Sequence, residues 1–245
     1  MISIRKAFLL ISGLTGFFVL YGQQASFKDI FERSQQEYGL HPLLQNGLYY
    51  EYPYYYSKGH PFLLDGQFHK GSIVFRDKRY EDIEIRYDIF HQQVILNLLQ
   101  GQEMVQILAA MEFVSAFRFE GRDFMKLTGA DGQERYFQIV AAGDELICAY
   151  SWYKNRNESS ENQSFKTYIF GEPKTRKYLF YKGTEYRYRN NKTFAAIFPP
   201  EARQEIRSYL KAGGIKVNKA DDRTMNDLIG RCRDLLNPLN QNSKR

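Results

Sequence analysis

The sequence predicts a mainly β fold of the α+β kind. It expects an antiparallel meander sheet, an incomplete barrel or a sandwich, with a short N-terminal helix and two C-terminal helices packed on it. Three observations predict this. Apolar and polar residues alternate with period two from Glu81 to Phe90. Twelve short segments of that style follow one another between residues 71 and 198, with turn residues in the gaps and no helical periodicity between them. Apolar stripes of helical period occur only towards the two ends of the chain.

In chain order, residues 1–22 read as a signal peptide. Arg5 and Lys6 supply the positive region, residues 7–22 carry no charge, and Gly22 is a small residue ahead of Gln23. The uncharged run is 16 residues, short of the roughly 20 that a spanning helix needs. Cleavage is therefore expected rather than a retained anchor, leaving a single β-rich domain over 23–245 and no stable transmembrane span. Ser26 can cap a short helix with Phe27, Ile30 and Phe31 on one face.

Tyr49 to Phe62, YYEYPYYYSKGHPF, holds six Tyr and two Pro. Pro53 and Pro61 exclude a regular central strand. Tyr joins a flat apolar ring to a polar tip, which suits glycan or peptide binding at low entropic cost. Tyr49, Tyr50, Tyr52, Tyr54, Tyr55 and Tyr56, with His60, are the candidate ligand- or partner-binding residues. The competing reading is a hydrophobic strap over an open edge or face of the sheet.

The strands follow. In Glu81–Phe90, Ile83, Ile85, Tyr87 and Ile89 point one way, and Asp82, Glu84, Arg86 and Asp88 the other, as in a strand with one packed and one wet face. Further strands are expected at 71–75, 94–99, 104–108, 114–119, 123–127, 135–140, 145–153, 165–170, 177–181, 185–189 and 193–198, the last being TFAAIF. Gln100-Gly101, Asp131-Gly132, Gly143-Asp144, Lys182-Gly183 and Asn190-Asn191 supply turns. Glu145–Tyr153 is apolar on both faces, so a central, covered strand is expected. Tyr186 and Tyr188 alternate with Arg187 and Arg189, the pattern of an edge strand. Lys154–Ser164 is polar without aliphatic residues and reads as a long surface loop.

Pro200 opens a helix to about Lys211, stopped by Gly213-Gly214. Asp221 or Asp222 caps another over 222–237, in which Met225, Leu228, Ile229, Cys232, Leu235 and Leu236 share a stripe. Cys148 and Cys232 either form a disulfide or lie as two thiols in one core.

Catalytic signals are sparse. There is no GxSxG, P-loop, GxGxxG or HExxH motif. Two Cys exclude a multi-Cys zinc site. The four His, His41, His60, His69 and His91, show no metal-binding spacing; His60 and His69 flank Asp65 and would need a hairpin to meet. No cofactor or metal is expected. The formal charge of +6 falls by two when Arg5 and Lys6 leave. The remaining cations are scattered, which does not fit a nucleic-acid partner.

The run NGLYYEY near residue 46, GHPF at 59–62, GSIVF at 71–75, IRYDIF followed by VILNL, and then KYLFYKG and TFAAIFP, resembles uncharacterised exported β-rich proteins of Bacteroidetes bacteria. That resemblance implies a periplasmic or secreted location and carries no catalytic residues.

The functional expectation is an exported cell-envelope binding or structural protein without catalytic activity. It would hold a lipid, glycan or peptide against an aromatic-rich sheet. A secreted hydrolase with a site assembled from distant residues, and an accessory subunit of an envelope complex, are the alternatives. An apolar cavity under the C-terminal helices would favour lipid carriage. A polar cleft pairing His60 or His69 with a carboxylate would favour catalysis. A filled core with an exposed Tyr patch would favour docking.

Overall fold

The computed structural model describes residues 47–159 and 167–237. The expected signal peptide and the helix near Ser26 lie outside the described residues. Eleven strands form one antiparallel sheet: β1 (Leu48–Tyr49), β2 (His69–Phe75), β3 (Lys78–Asp88), β4 (Gln93–Gln100), β5 (Glu103–Leu108), β6 (Val114–Phe119), β7 (Arg122–Thr128), β8 (Glu134–Ala141), β9 (Leu146–Tyr153), β12 (Lys174–Tyr181) and β13 (Thr184–Tyr188). A separate ribbon pairs β10 (Arg156–Ser159) with β11 (Thr167–Phe170). Three helices follow: α1 (Asn191–Ala195), α2 (Pro200–Ala212) and α3 (Asp222–Leu236). Among the described residues, no helix is long and apolar enough to cross a membrane.

The strand order is β1-β5-β4-β3-β2-β6-β7-β8-β9-β12-β13. Two meanders therefore grow outward from β2, and the sheet ends at β1 and β13 rather than closing. The expected meander is present, and the sheet does not close into a barrel. Two-residue loops join β6 to β7 through Glu120-Gly121 (φ 49° and 68°) and β12 to β13 through Lys182-Gly183 (φ 50° and 76°). Paired positive φ values match the loop twist to the strand twist. β2 and β3 are joined the same way through Arg76-Asp77 (φ 48° and 64°), which has no glycine to signal it. At Gly71 a Cβ would lie 2.0 Å from the Arg118 carbonyl oxygen. The strands approach so closely there that only glycine fits, next to a bulge where the β2–β3 register shifts.

One face of the sheet carries the main core. Cross-strand pairing places Phe117, Phe124, Gln138, Tyr150 and Lys177 in one row. Tyr87, Phe117, Phe124 and Tyr136 pack as a ring cluster, with Phe117 and Phe124 stacked at 4.7 Å. Tyr87 and Tyr136 lie on β3 and β8, well separated in strand order, yet their rings are 6.0 Å apart. The sheet is thus coiled. The β3–β4 turn also reaches β9: Gln92 Nε2 donates to the Trp152 carbonyl at 3.0 Å.

Farther along the same face, the helices cover Cys148, Tyr150, Leu179 and Tyr188 with Phe194, Phe198, Ile206, Leu210, Leu228, Ile229 and Cys232. The opposite face holds a smaller cluster of Phe137, Ala149, Tyr178 and Phe180. β9 is therefore covered on both faces, as its sequence indicated, but it is third from the end of the sheet rather than central.

Several expectations are corrected. TFAAIF is not a strand: its first residues are in α1. The Asn190 side chain accepts from the Thr193 N–H at 2.9 Å, and the Thr193 hydroxyl accepts from the Asn190 N–H at 3.1 Å. This reciprocal cap starts a helix, and Phe194 and Ala195 become its buried face. The Lys154–Ser164 stretch is not wholly loop, because β10 occupies Arg156–Ser159. The face of β3 expected to be wet is covered at one end only: Asp88 is 0% exposed and Arg86 is half-buried, while Asp82 is exposed. Of the two readings left open for Cys148 and Cys232, the structure has the thiols and not the disulfide. Both are free thiols in one cluster, and burial pushes Cys148 up to about 11 and Cys232 up to about 12.

Leu228 is 1% exposed beneath α3. Leu228→Ala should therefore lower unfolding free energy by about 2–5 kcal/mol, from lost burial plus the cavity left behind. Denaturant titration measures this.

Candidate functional site

The Tyr-rich segment runs as a strap along one half of the sheet. Its first residues form β1, which pairs with Ile107 and Leu108 of β5, and Tyr50 N–H continues to the Gln106 carbonyl at 2.8 Å. The strap therefore covers the backbone edge of β5. It then reaches the β10–β11 ribbon, where Lys58 exchanges backbone hydrogen bonds with Tyr168 and Phe170 at 2.8 and 2.9 Å. Beyond that, Leu63 N–H donates to the Tyr87 carbonyl and Ile89 N–H to that of Pro61. The strap is tied down at both ends and in the middle.

Arg86 anchors its underside. The guanidinium lies 4.2 Å from the Phe62 ring centroid, 4.3 Å from Phe68 and 5.6 Å from Tyr50. Cation–π attraction strengthens where water is displaced. One guanidinium nitrogen, Nη2, donates to Gln106 Oε1 at 3.0 Å, whereas Nε has no hydrogen-bond partner. Burial lowers the Arg86 pKa and pushes the Tyr50 hydroxyl above its usual range; Asp88 adds to the effect on Tyr50.

Tyr54 anchors the strap's centre. Its ring is 7% exposed and packs edge-on to Tyr168 and Phe170, at 5.6 and 4.9 Å. Its hydroxyl is 2.9 Å from His91 Nε2, and His91 Nδ1 is 2.8 Å from Asp88 Oδ2. The other Asp88 oxygen accepts from the Phe90 and His91 N–H groups at 2.9 and 2.8 Å. Arg156 Nη1 donates to the Tyr54 hydroxyl at 3.3 Å, and its guanidinium lies 4.4 Å from the Tyr168 ring centroid and 4.8 Å from that of Phe90. A carboxylate, an imidazole and a hydroxyl thus stand in sequence, the hydroxyl sheltered among rings.

The candidate residues separate into distinct roles. Tyr49 is 67% exposed and tethered, its hydroxyl donating to Gln100 Oε1 at 3.0 Å. Tyr50 and Tyr52 are half-buried. Tyr54 is internal. Tyr55 and Tyr56 are 77% and 70% exposed, and Tyr52 meets Tyr55 edge-on at 5.7 Å. His60 stacks on Phe62 at 5.8 Å, with the Lys154 ammonium 2.8 Å from its carbonyl. Burial, followed by the field of Lys154, lowers the His60 pKa, so this ring is neutral at pH 7.

His60 and His69 do not join. His69 instead lies between two carboxylates, Nε2 at 2.8 Å from Asp65 and Nδ1 at 3.0 Å from Glu120. The carboxylates face different nitrogens of one ring, so they share no metal position. No group of metal-ligating side chains is found among the described residues. Sequence reasoning missed Arg86, Asp88, His91, Arg156 and Tyr168. The only local signal was Asp88 ahead of Phe90 and His91, the spacing of a turn in which a carboxylate accepts from following N–H groups.

No family model matches this chain, and neither a curated protein nor a solved structure matches it.

Two outcomes follow from this geometry. Tyr54→Phe removes the hydroxyl that joins His91 and Arg156. It should destabilise the protein by about 1–3 kcal/mol, since buried polar groups lose a partner, as read from chemical denaturation. His69 gives a pH effect. Burial works against its charge, but hydrogen bonds and attraction from Asp65 and then Glu120 prevail, and its pKa is raised. Its contribution to stability is therefore fully present below the unfolded value, near 6.5, and is lost as pH rises through the higher folded value. The stability gap between wild type and His69→Gln should narrow as pH rises above the ordinary imidazole value, near 6.5; a gap constant with pH would refute the charged clamp.

Proposed function

We propose that this chain is an exported, noncatalytic binding protein of the cell envelope, presenting Tyr55 and Tyr56 of its strap to a glycan or peptide. The observation that carries the reading is the contrast between neighbouring rings. Tyr54 is locked inside, while Tyr55 and Tyr56 stand out beside it on a backbone held by the β10–β11 ribbon. Exposed rings on an anchored segment are preorganised, so little conformational freedom is lost on binding. Their flat faces suit a sugar ring or a peptide side chain.

The buried apolar cluster beneath α2 and α3 supports surface docking over lipid carriage. The hydrolase reading has one specific observation in its favour, the Asp88–His91–Tyr54 chain, whose order resembles a nucleophile relay. The enclosure of the Tyr54 ring and the donation from Arg156 support a structural clamp instead. Export rests on the leader-like residues 1–22.

The test uses Tyr55→Ser/Tyr56→Ser, which leaves Tyr54 and Arg86 intact. Against an array of cell-wall oligosaccharides and unstructured peptides, capture should weaken about tenfold or more, equivalent to roughly 1.4 kcal/mol. The melting temperature should move by no more than about 2 °C, as for exposed substitutions in a chain of this size. Unchanged capture would refute the platform.

A further inference from the structure

A second feature lies in the other half of the strand order, beyond β13. An open hollow of about 440 Å³ is bounded by α1, α2 and the loop that follows α2. Four cations line it: Lys192 from α1, Arg207 and Lys211 from α2, and Lys216 from the loop. Among the described residues, no acidic side chain lines it. None of these four side chains has an ion pair or a hydrogen bond among the described residues. Arg207 and Lys211 are four residues apart, where side chains on a helix are neighbours and like charges repel. Leu210 and Ile215 supply an apolar floor.

The hollow is built rather than incidental. Asn191 fastens the loop to α1, donating to the Ile215 carbonyl at 2.6 Å and accepting from the Val217 N–H at 3.0 Å. Ile215 N–H closes back on the Leu210 carbonyl at 2.9 Å, with Gly214 at φ 61° making the turn. From the sheet, the Lys177 ammonium donates to the carbonyls of Val217 and Ala220 at 3.0 and 3.3 Å. The backbones carrying all four cations are thus held in place before anything binds.

We propose that this hollow is an anion site for a phosphoryl group borne on an organic part. A phosphate monoester carries about −1.5 to −2 at pH 7, which suits several convergent cations better than one carboxylate does. A guanidinium fork and ammonium groups are the usual phosphate partners. The organic part would rest on Leu210 and Ile215. The phosphoryl group comes either from a soluble ester or from the head of an anionic lipid, and the experiment separates these sources.

The full chain is titrated calorimetrically with inorganic pyrophosphate, and separately sedimented with phosphatidylcholine vesicles with or without phosphatidylglycerol. Wild type should hold at least one probe, more weakly as salt rises, since exposed charges are screened. Pyrophosphate binding should also raise the melting temperature by mass action. Retention of pyrophosphate indicates a soluble ester; retention only of the anionic vesicles indicates a lipid head. Arg207→Gln/Lys211→Gln should weaken the retained probe by about tenfold or more. Its melting temperature without probe should be unchanged or higher, because a like-charge pair is removed. Lys70→Gln/Lys78→Gln, which removes two exposed cations elsewhere, should bind as wild type does. The site is overturned if neither probe is held, if the Arg207/Lys211 variant binds normally, or if both variants weaken binding equally.

Discussion

An antiparallel ribbon that does not close must still bury what closure would have buried, and this chain meets that demand by coiling. The coil brings Tyr87 of β3 against Tyr136 of β8 and carries Gln92 to the backbone of Trp152. Polar atoms left inside are then joined in series. The Tyr87 hydroxyl donates to Gln92, the Trp152 indole N–H to Gln138, and the Gln138 amide to Asp222 at the start of α3, at 2.7, 2.8 and 2.7 Å. This chain of partners runs from the β3–β4 turn to the last helix. An interior of this kind resists rearrangement, because breaking one link strands a polar group in a low-dielectric core.

The coil also explains why strap and helices fall where they do. Toward β13 the main face is covered by α1, α2 and α3. Toward β5 the outer face is covered by the strap, with Arg86 beneath its rings. A single cation gives the strap a fixed centre that purely apolar contacts would not, since guanidinium–ring attraction depends on orientation. The same strap supplies β1, so it shields an edge as well as a face.

Much of this was legible in the sequence. Period-two alternation revealed most strands, and Val114–Phe119 was located at its observed bounds. The stripe from Met225 to Leu236 revealed α3 because nothing competes with helical spacing there. The failures have physical causes. TFAAIF looks extended by composition, but the Asn190–Thr193 cap lies just before its apolar residues and turns them into a helix. Arg86 and Asp88 look wet because alternation records which face a residue is on, not what later covers that face. The cover comes from residues 50–68, and no local pattern encodes so distant a contact. Tyr54 shows the same limit: its composition matches that of Tyr55 and Tyr56, yet a turn of the backbone puts one ring inside and leaves two outside.

That division decides how the Asp88–His91–Tyr54 chain is to be understood. A nucleophile relay requires the terminal hydroxyl to reach a substrate, with room for a reacting atom about 3 Å away. Here the Tyr54 ring is enclosed by Tyr168 and Phe170 and its hydroxyl already accepts from Arg156. Those contacts oppose access and favour order. The turn at Phe90 and His91 is fixed by Asp88, the imidazole is fixed by the turn, and the phenol is fixed by the imidazole. The buried chain and the exposed rings are then two parts of one arrangement: hydrogen bonds made inside hold the backbone that leaves Tyr55 and Tyr56 exposed.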